Sequence, residues 1–349
     1  MTFPGGVAPN DEAVVLSPEW LTALLGERHP GAVVTGVEVT ERIETVATKV
    51  RFTLRYAQEV PGAPTALCAK GYFNPETRKR GAPRTEAEFY RLYADALPVR
   101  TPPWVHAAID EETGHPLVVM RDLVPEGVVF GDPLAGFTPE QAAGALDQIA
   151  ALHAATSDAA RADEYAGVFP ARLTSLARYF TGEKLQAQLD DGRAEGAPAK
   201  VVDGERLHAA MGAMARIGEG LPRCLVHGDV HTGNMYTTAD GEPGIIDWQV
   251  VQYGAWALDV AYHMASVLAP DDLAEAERGL LDHYLDRLAA HGGTPPTRDE
   301  AWTAYREHLP YGFYMWGITR AVHRPITVRH TQRLAHAVAR HGSLDLLGV

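Results

Sequence analysis

The spacing of apolar and polar residues changes character several times along this chain, and each change predicts an element. Residues from about 1 to 16 carry Pro, Gly and Asp without any period and predict a loose arm. Ser17-Pro18-Glu19-Trp20 then supplies an N-cap and a first-turn proline for a short helix. Apolar and polar residues alternate strictly in Val50-Arg51-Phe52-Thr53-Leu54-Arg55-Tyr56, and Leu67, Ala69, Gly71 and Phe73 alternate again after the turn Pro61-Gly62-Ala63-Pro64. That pattern predicts a hairpin in a half-buried antiparallel sheet. A helical period follows from Thr85 to Leu97, and Val105 to Ile109 and Leu117 to Met120 predict two more strands.

Beyond this point the periods are mostly helical. Thr138-Pro139-Glu140-Gln141 forms a capping box opening a helix to about Ala155, and Thr297 with Glu300 forms another. Further helices are expected over about 172–190, 203–218, 256–268, 271–290, 298–308 and 328–341, with Gly292 closing the fourth of these. The exception is 223–247, where the apolar runs Cys224-Leu225-Val226 and Gly244-Ile245-Ile246 flank turn residues. The expected fold class is α+β. An N-terminal lobe over 1–121 holds a small antiparallel sheet with one helix, and a larger, mainly helical lobe occupies 122–349.

The exceptional segment is also where the chemistry concentrates. It reads Leu225-Val226-His227-Gly228-Asp229-Val230-His231-Thr232-Gly233-Asn234, and then Gly244-Ile245-Ile246-Asp247. Asp229, Asn234 and Asp247, each beside apolar strand residues, are the groups that metal-assisted phosphoryl transfer requires. The first carboxylate takes or orients a hydroxyl proton, while the Asn234 carbonyl oxygen and Asp247 hold Mg²⁺ against nucleotide phosphates. Turn chemistry alone favours Asp and Asn here, but it does not explain the two flanking apolar strands. A hydrolase metal site built on His227, Asp229 and His231 needs a third or fourth ligand, and no further His pair is spaced to supply one. His227 therefore reads as a loop anchor.

This segment resembles the aminoglycoside phosphotransferase and choline kinase-like family of small-molecule kinases. That family's catalytic loop reads H-G-D-x-x-x-x-N, and its metal-binding Asp follows an apolar strand as I-D. The resemblance extends over about 33–265 and implies a two-lobe, protein-kinase-like fold, with Asp229 as catalytic base or orienting group and Asn234 and Asp247 on the metal. The segment Trp256-Ala257-Leu258-Asp259-Val260-Ala261 resembles the family's D-L-A, whose Asp props the catalytic loop. Lys70 on the third strand and Glu86 on the following helix stand in the family's order for the phosphate-binding cation and its carboxylate. Leu117-Val118-Val119-Met120-Arg121-Asp122-Leu123 resembles the hinge, where backbone groups around Met120 would read the base of ATP or GTP. The phosphate loop departs from the pattern: Arg42-Ile43-Glu44-Thr45-Val46-Ala47-Thr48-Lys49 contains no glycine, so Thr45 and Thr48 hydroxyls are the candidate phosphate contacts.

Helix phasing separates two candidate carboxylates. At about 100° per residue, Phe89, Tyr90, Leu92, Tyr93, Ala96 and Leu97 form one stripe, with Glu86 about 30° from its centre and Glu88 about 130° away. A carboxylate on the buried face needs a partner, and Lys70 is the cation a kinase would bring to it. The late stretch Leu309-Pro310-Tyr311-Gly312-Phe313-Tyr314-Met315-Trp316 is expected either to line the acceptor pocket or to form an aromatic core helix.

Composition narrows the partners. With 349 residues, 46% of them hydrophobic and 22% charged, the chain can bury a large core and is not disordered. A formal net charge of −14 argues against nucleic acid as a partner. Cys68 and Cys224 lie far apart with no C-x-x-C spacing, so neither a disulfide scaffold nor a thiolate zinc site is expected. No basic, apolar leader and no run of about 18 apolar residues is present, so no membrane contact is expected and the reducing cytoplasm is the expected compartment. The expected activity is transfer of a γ-phosphoryl group from ATP or GTP, with Mg²⁺, to the hydroxyl of a small-molecule alcohol. The rival, prompted by the glycine-free loop, is a catalytically silent nucleotide-binding or scaffold protein.

Overall fold

The computed structural model describes residues 3–79 and 81–349. The chain divides into two compact units, one of residues 1–96 with 101–129 and one of 97–100 with 130–349.

The first unit opens with Glu12–Val15 (α1) and Pro18–Gly26 (α2), the latter capped by the Ser17 hydroxyl on Trp20 N. Five strands follow: Val34–Glu44 (β1), Thr48–Tyr56 (β2), Ala66–Gly71 (β3), Trp104–Ile109 (β4) and Pro116–Arg121 (β5). They form one sheet in the order β1-β2-β3-β5-β4, antiparallel throughout. Strand alternation sends Val50, Phe52, Leu54, Leu67, Ala69, Leu117 and Val119 to one face, where they pack with Trp20, Leu21, Leu24 and Leu25 of α2. Pro75–Arg78 (α3) and Thr85–Leu92 (α4) connect β3 to β4, and α4 buries Glu86, Ala87, Phe89 and Tyr90. This helix ends five residues before the expected Leu97, and Leu92, placed on the buried stripe by its period, is exposed, so Phe89 and Tyr90 carry the buried face within it.

The arm before α2 is not loose. Its backbone carbonyls meet ring nitrogens of the unit's interior: Trp20 Nε1 donates to Gly6 O at 3.1 Å, His115 Nδ1 lies 3.1 Å from Ala8 O, and His106 Nε2 lies 2.6 Å from Val7 O. Backbone acceptors leave no period in the side chains, which is why hydrophobic spacing misses this ordering.

The second unit is mainly helical, and a two-residue strand, Val129–Phe130 (β6), sits at the boundary in sequence. Its helices are Pro139–Thr156 (α5), Ala162–Val168 (α6), Leu173–Tyr179 (α7), Gly182–Gln188 (α8) and Gly204–Gly218 (α9), then Ala257–Val267 (α10), Pro270–Ala290 (α11), Arg298–Ile318 (α12), Arg324–His341 (α13) and Ser343–Leu346 (α14). Two expected helices of this unit differ in extent, and α6 and α14 lie where no helix is expected. The segment expected to be continuous over about 172–190 breaks at Phe180, and Thr181 caps α8 instead. Conversely, α12 runs on through Pro310 to Ile318. An interior proline costs about 3 kcal/mol, but Leu309, Tyr311, Phe313, Tyr314 and Trp316 are all 3% exposed or less, and burying side chains of that size returns more than the lost backbone bond.

Between α9 and α10 lie two small antiparallel pairs: Arg223–Val226 (β7) with Gln252–Ala255 (β10), and Met235–Thr237 (β8) with Pro243–Ile245 (β9). Among the described residues no helix is long and apolar enough to cross a membrane, and both cysteines are free thiols.

Candidate active site

In the first unit, Lys70 of β3 and Glu86 of α4 form an ion pair, Nζ to Oε2 at 2.6 Å, with the side chains 5% and 6% exposed. Glu88 lies two residues on and pairs with Arg91 on its own helix at a partly exposed site. The 3.6-residue period makes this choice, because it turns Glu86 towards the sheet and Glu88 away from it. Breaking a buried pair leaves an uncompensated charge, so the two members act as a unit. Glu86→Gln and Lys70→Met are therefore each expected to lower turnover at least about tenfold, with little further loss in the double variant and near-neutral Glu88→Gln. Steady-state rates on the four variants and the wild type check this. Damage from Glu88→Gln with full activity in Glu86→Gln would overturn it.

Sheet register sorts the remaining candidates of this unit. Lys49 faces Lys70 across β2 and β3, and Met120 faces Cys68, so Lys70 and Met120 share one face of the sheet. Thr48 pairs with Gly71 on the opposite face and is 1% exposed, so the structure does not bring its hydroxyl to Lys70. Thr45 sits in a tight turn over 45–47 between β1 and β2, its N–H and hydroxyl both donating to Ala47 O at 3.0 and 3.2 Å. Asp122, just past Met120, accepts from Arg51 Nε and Nη2 at 3.0 and 2.8 Å and from Val124 N at 3.1 Å, which pins the end of β5.

In the second unit the loop after β7 carries the other candidates. Gly228 has φ +81°, and a Cβ there would lie 2.8 Å from Val250 O, so only glycine fits between His227 and Asp229. Asp259 at the start of α10 is fully buried and accepts from His227 N and Gly228 N, each at 2.7 Å, with His153 Nε2 at 3.2 Å. His153 is in turn 2.8 Å from the Tyr284 hydroxyl. Asp259 thus supplies the acceptors for a loop whose own backbone has no ladder. Asp259→Ala orphans those donors and is expected to destabilise the fold by roughly 3–5 kcal/mol, measured by chemical denaturation. A loss below about 1 kcal/mol would contradict this account.

Asp229 Oδ1 accepts from the Tyr262 hydroxyl at 2.8 Å, and Oδ2 accepts from Asn234 Nδ2 at 3.0 Å. Desolvation pushes this carboxyl up, but His231, 3.7 Å from Oδ2, and the Tyr262 hydrogen bond outweigh it and hold the group below the ordinary carboxylate value. Burial, followed by the nearby Asp229 charge, pushes the Tyr262 hydroxyl well above its usual value, so it remains a donor. His227 Nδ1 accepts from Asp229 N at 3.2 Å, which leaves Nε2 to donate to Ile246 O at 3.0 Å. One of its ring nitrogens is occupied within the loop and the other by the residue that follows β9. Among the described residues no three His, Cys, Asp or Glu side chains come together as a metal-holding group, and His227, with both ring nitrogens engaged, serves as a loop anchor.

The β8–β9 hairpin joins the metal candidates. Met235 pairs with Ile245, and Ile246 N donates to Asn234 O at 2.9 Å, so residues separated in sequence become neighbours beside Asp247. Asn234 Nδ2 is already engaged by Asp229 O at 2.8 Å and by Asp229 Oδ2, which leaves Oδ1, a hard neutral oxygen, as the atom available to a cation. Asp247 has φ 69° and ψ 65°, and no other described non-glycine residue has a positive φ. Holding a non-glycine residue there costs of order 1–2 kcal/mol, a strain typical of functional positions. A hard oxygen from Asn234 and a carboxylate from Asp247 match the preferences of Mg²⁺.

A small antiparallel sheet with a buried lysine–carboxylate pair, followed by a helical unit that presents an Asp, an Asn and a second Asp from one braced loop and hairpin, is the architecture of kinase-like phosphotransferases. A family model described as the phosphotransferase enzyme family (APH) matches residues 54–308, and the chain belongs to that family. Solved structures share the fold. A Ralstonia eutropha protein assigned to the aminoglycoside phosphotransferases is 16% identical with a TM-score of 0.50, over 92% of this chain and 96% of that one. A Plasmodium vivax ethanolamine kinase is 13% identical with a TM-score of 0.54, over 88% and 83%. No curated protein matches the chain.

Several residues that position the candidates within each unit carry no sequence motif. Tyr262 and His153 lie inside apolar helices, and Arg51 lies in an alternating strand, so only their contacts distinguish them from core and surface positions.

Proposed function

We propose that this phosphotransferase is a Mg²⁺- and ATP- or GTP-dependent kinase that phosphorylates a hydroxyl of a small-molecule alcohol in a reducing cytoplasm. The observation that carries the reading is the braced trio: Asp229 oriented by two donors, Asn234 with its amide oxygen available, and Asp247 held in a left-handed conformation beside it. Lys70, aimed by Glu86, neutralises nucleotide phosphates, backbone groups around Met120 meet the base, and the turn at Thr45 closes over the phosphates. Asn234 Oδ1 and the Asp247 carboxylate would hold Mg²⁺, which would supply charge neutralisation to the transferring phosphoryl group. Asp229 orients the acceptor hydroxyl and takes its proton as the new oxygen–phosphorus bond forms and the bond from the γ-phosphorus to the β–γ bridging oxygen breaks, releasing ADP or GDP.

The test is Mg²⁺-dependent release of phosphate from ATP and GTP with water as acceptor, followed by a panel of aminoglycosides, choline analogues, nucleosides, sterols and hydroxyacyl thioesters. No nucleotide turnover above a buffer blank would overturn the reading. The glycine-free turn at 45–47 favours one other reading, a silent nucleotide-binding protein, which predicts nucleotide binding with no release.

A further inference from the structure

The two oxygens of Asp229 are held from different elements, Oδ2 by Asn234 of its own loop and Oδ1 by Tyr262 of α10. Tyr262 is 1% exposed, and its ring packs flush against the backbone of α12 at Gly312. A Cβ at Gly312 would lie 2.7 Å from Tyr262 Cδ2 and 2.7 Å from Leu334 Cδ2. Glycine inside a helix is less favourable than alanine by about 1 kcal/mol, so its presence at this crossing answers to the room that Tyr262 and Leu334 need. The neighbouring Tyr311 packs edge-on against Tyr262, with ring centroids 5.9 Å apart, and donates its hydroxyl to Gly228 O at 2.8 Å. Two tyrosines from two helices therefore address consecutive residues of the same loop.

We propose that Tyr262 is a positioning residue for phosphoryl transfer, fixing the plane of the Asp229 carboxylate, and that Gly312 exists to admit its ring. The proposal rests on the reading of Asp229 given above. A carboxylate turns easily about its terminal torsion, so a donor on one oxygen alone leaves a range of planes. A second donor on the other oxygen selects one plane and aims the remaining lone pairs at a single place for the acceptor hydroxyl. In a loose transition state, catalysis is mostly positioning, so losing that plane is expected to show in kcat rather than in nucleotide binding.

The experiment uses the full chain with ATP, Mg²⁺ and water as the acceptor. Tyr262→Phe keeps the ring and removes the donor. It is expected to lower kcat by roughly ten- to a hundredfold, the loss usual for a hydrogen bond to a charged group, with the KM for ATP within about twofold of wild type. Gly312→Ala displaces the ring and is expected to give a similar loss, with no further loss in the double variant. Should Gly312→Ala fail to fold, Tyr262→Phe decides alone. Wild-type kcat in Tyr262→Phe overturns the proposal, and so does a loss matched by weaker ATP binding and a lower Tm, which is the signature of a packing role. Asp229→Asn is measured in parallel. Wild-type turnover there overturns the reading of Asp229 itself, whereas a loss there with full activity in Tyr262→Phe overturns only the role of Tyr262.

Discussion

Asp247→Ala is expected to abolish Mg²⁺-dependent nucleotide turnover, a loss of about three orders of magnitude or more, because several kcal/mol of charge stabilisation reach the phosphates only through the ion. The geometry makes the effect specific. The β8–β9 hairpin holds Asp247 beside Asn234 through the Ile246 N to Asn234 O hydrogen bond, and Gln249 Nε2 donates to Asp247 Oδ1 at 2.8 Å, which fixes the carboxylate's orientation. Nucleotide affinity should fall to the metal-free level in the variant and become insensitive to Mg²⁺. Titrating ATP with and without Mg²⁺ on both proteins measures this, and an undiminished Mg²⁺ dependence would remove Asp247 from the metal site. Because alanine tolerates the left-handed conformation at φ 69° less well than aspartate, Asp247→Asn is the companion variant. It keeps a side chain suited to that backbone and removes only the charge, so loss of Mg²⁺ dependence in both variants separates electrostatics from strain.

Asp229→Asn is expected to retain the fold and nucleotide affinity while lowering kcat by roughly 10²–10⁴, or about 3–5 kcal/mol, the range for removing a positioned base. The amide is nearly isosteric, but one of its two ends is now a donor, and both Tyr262 and Asn234 present donors to this side chain. The Tyr262 hydroxyl can rotate to accept, whereas the Asn234 amide nitrogen stays tied to Asp229 O at 2.8 Å, so the loop keeps its backbone path and loses the carboxylate proposed to accept the substrate's proton. Thermal melting and ATP titration measured beside the rate distinguish this from unfolding. Full turnover in a well-folded Asn variant would sink the assignment.

What the chain determines by itself is local. Alternation in 50–56 and 67–73 specifies strands and their buried faces, and the 3.6-residue period turns Glu86 inward and Glu88 outward before any contact is known. Asp229, Asn234 and Asp247 are legible together because one loop and one hairpin of about twenty residues carry all three, so few arrangements keep them apart. Longer-range choices are made by packing. The face on which Thr48 falls follows from sheet register, the ordering of the arm from backbone carbonyls meeting Trp20 and His115, and the passage of α12 through Pro310 from the burial of its aromatic residues. Tyr262, packed on Gly312, reaching Asp229, and His153 reaching Asp259, join residues 33 and 106 positions apart. Such pairs leave no trace in periodicity, because a buried tyrosine or histidine looks like any other core residue until the neighbouring helix decides which acceptor its polar atom meets.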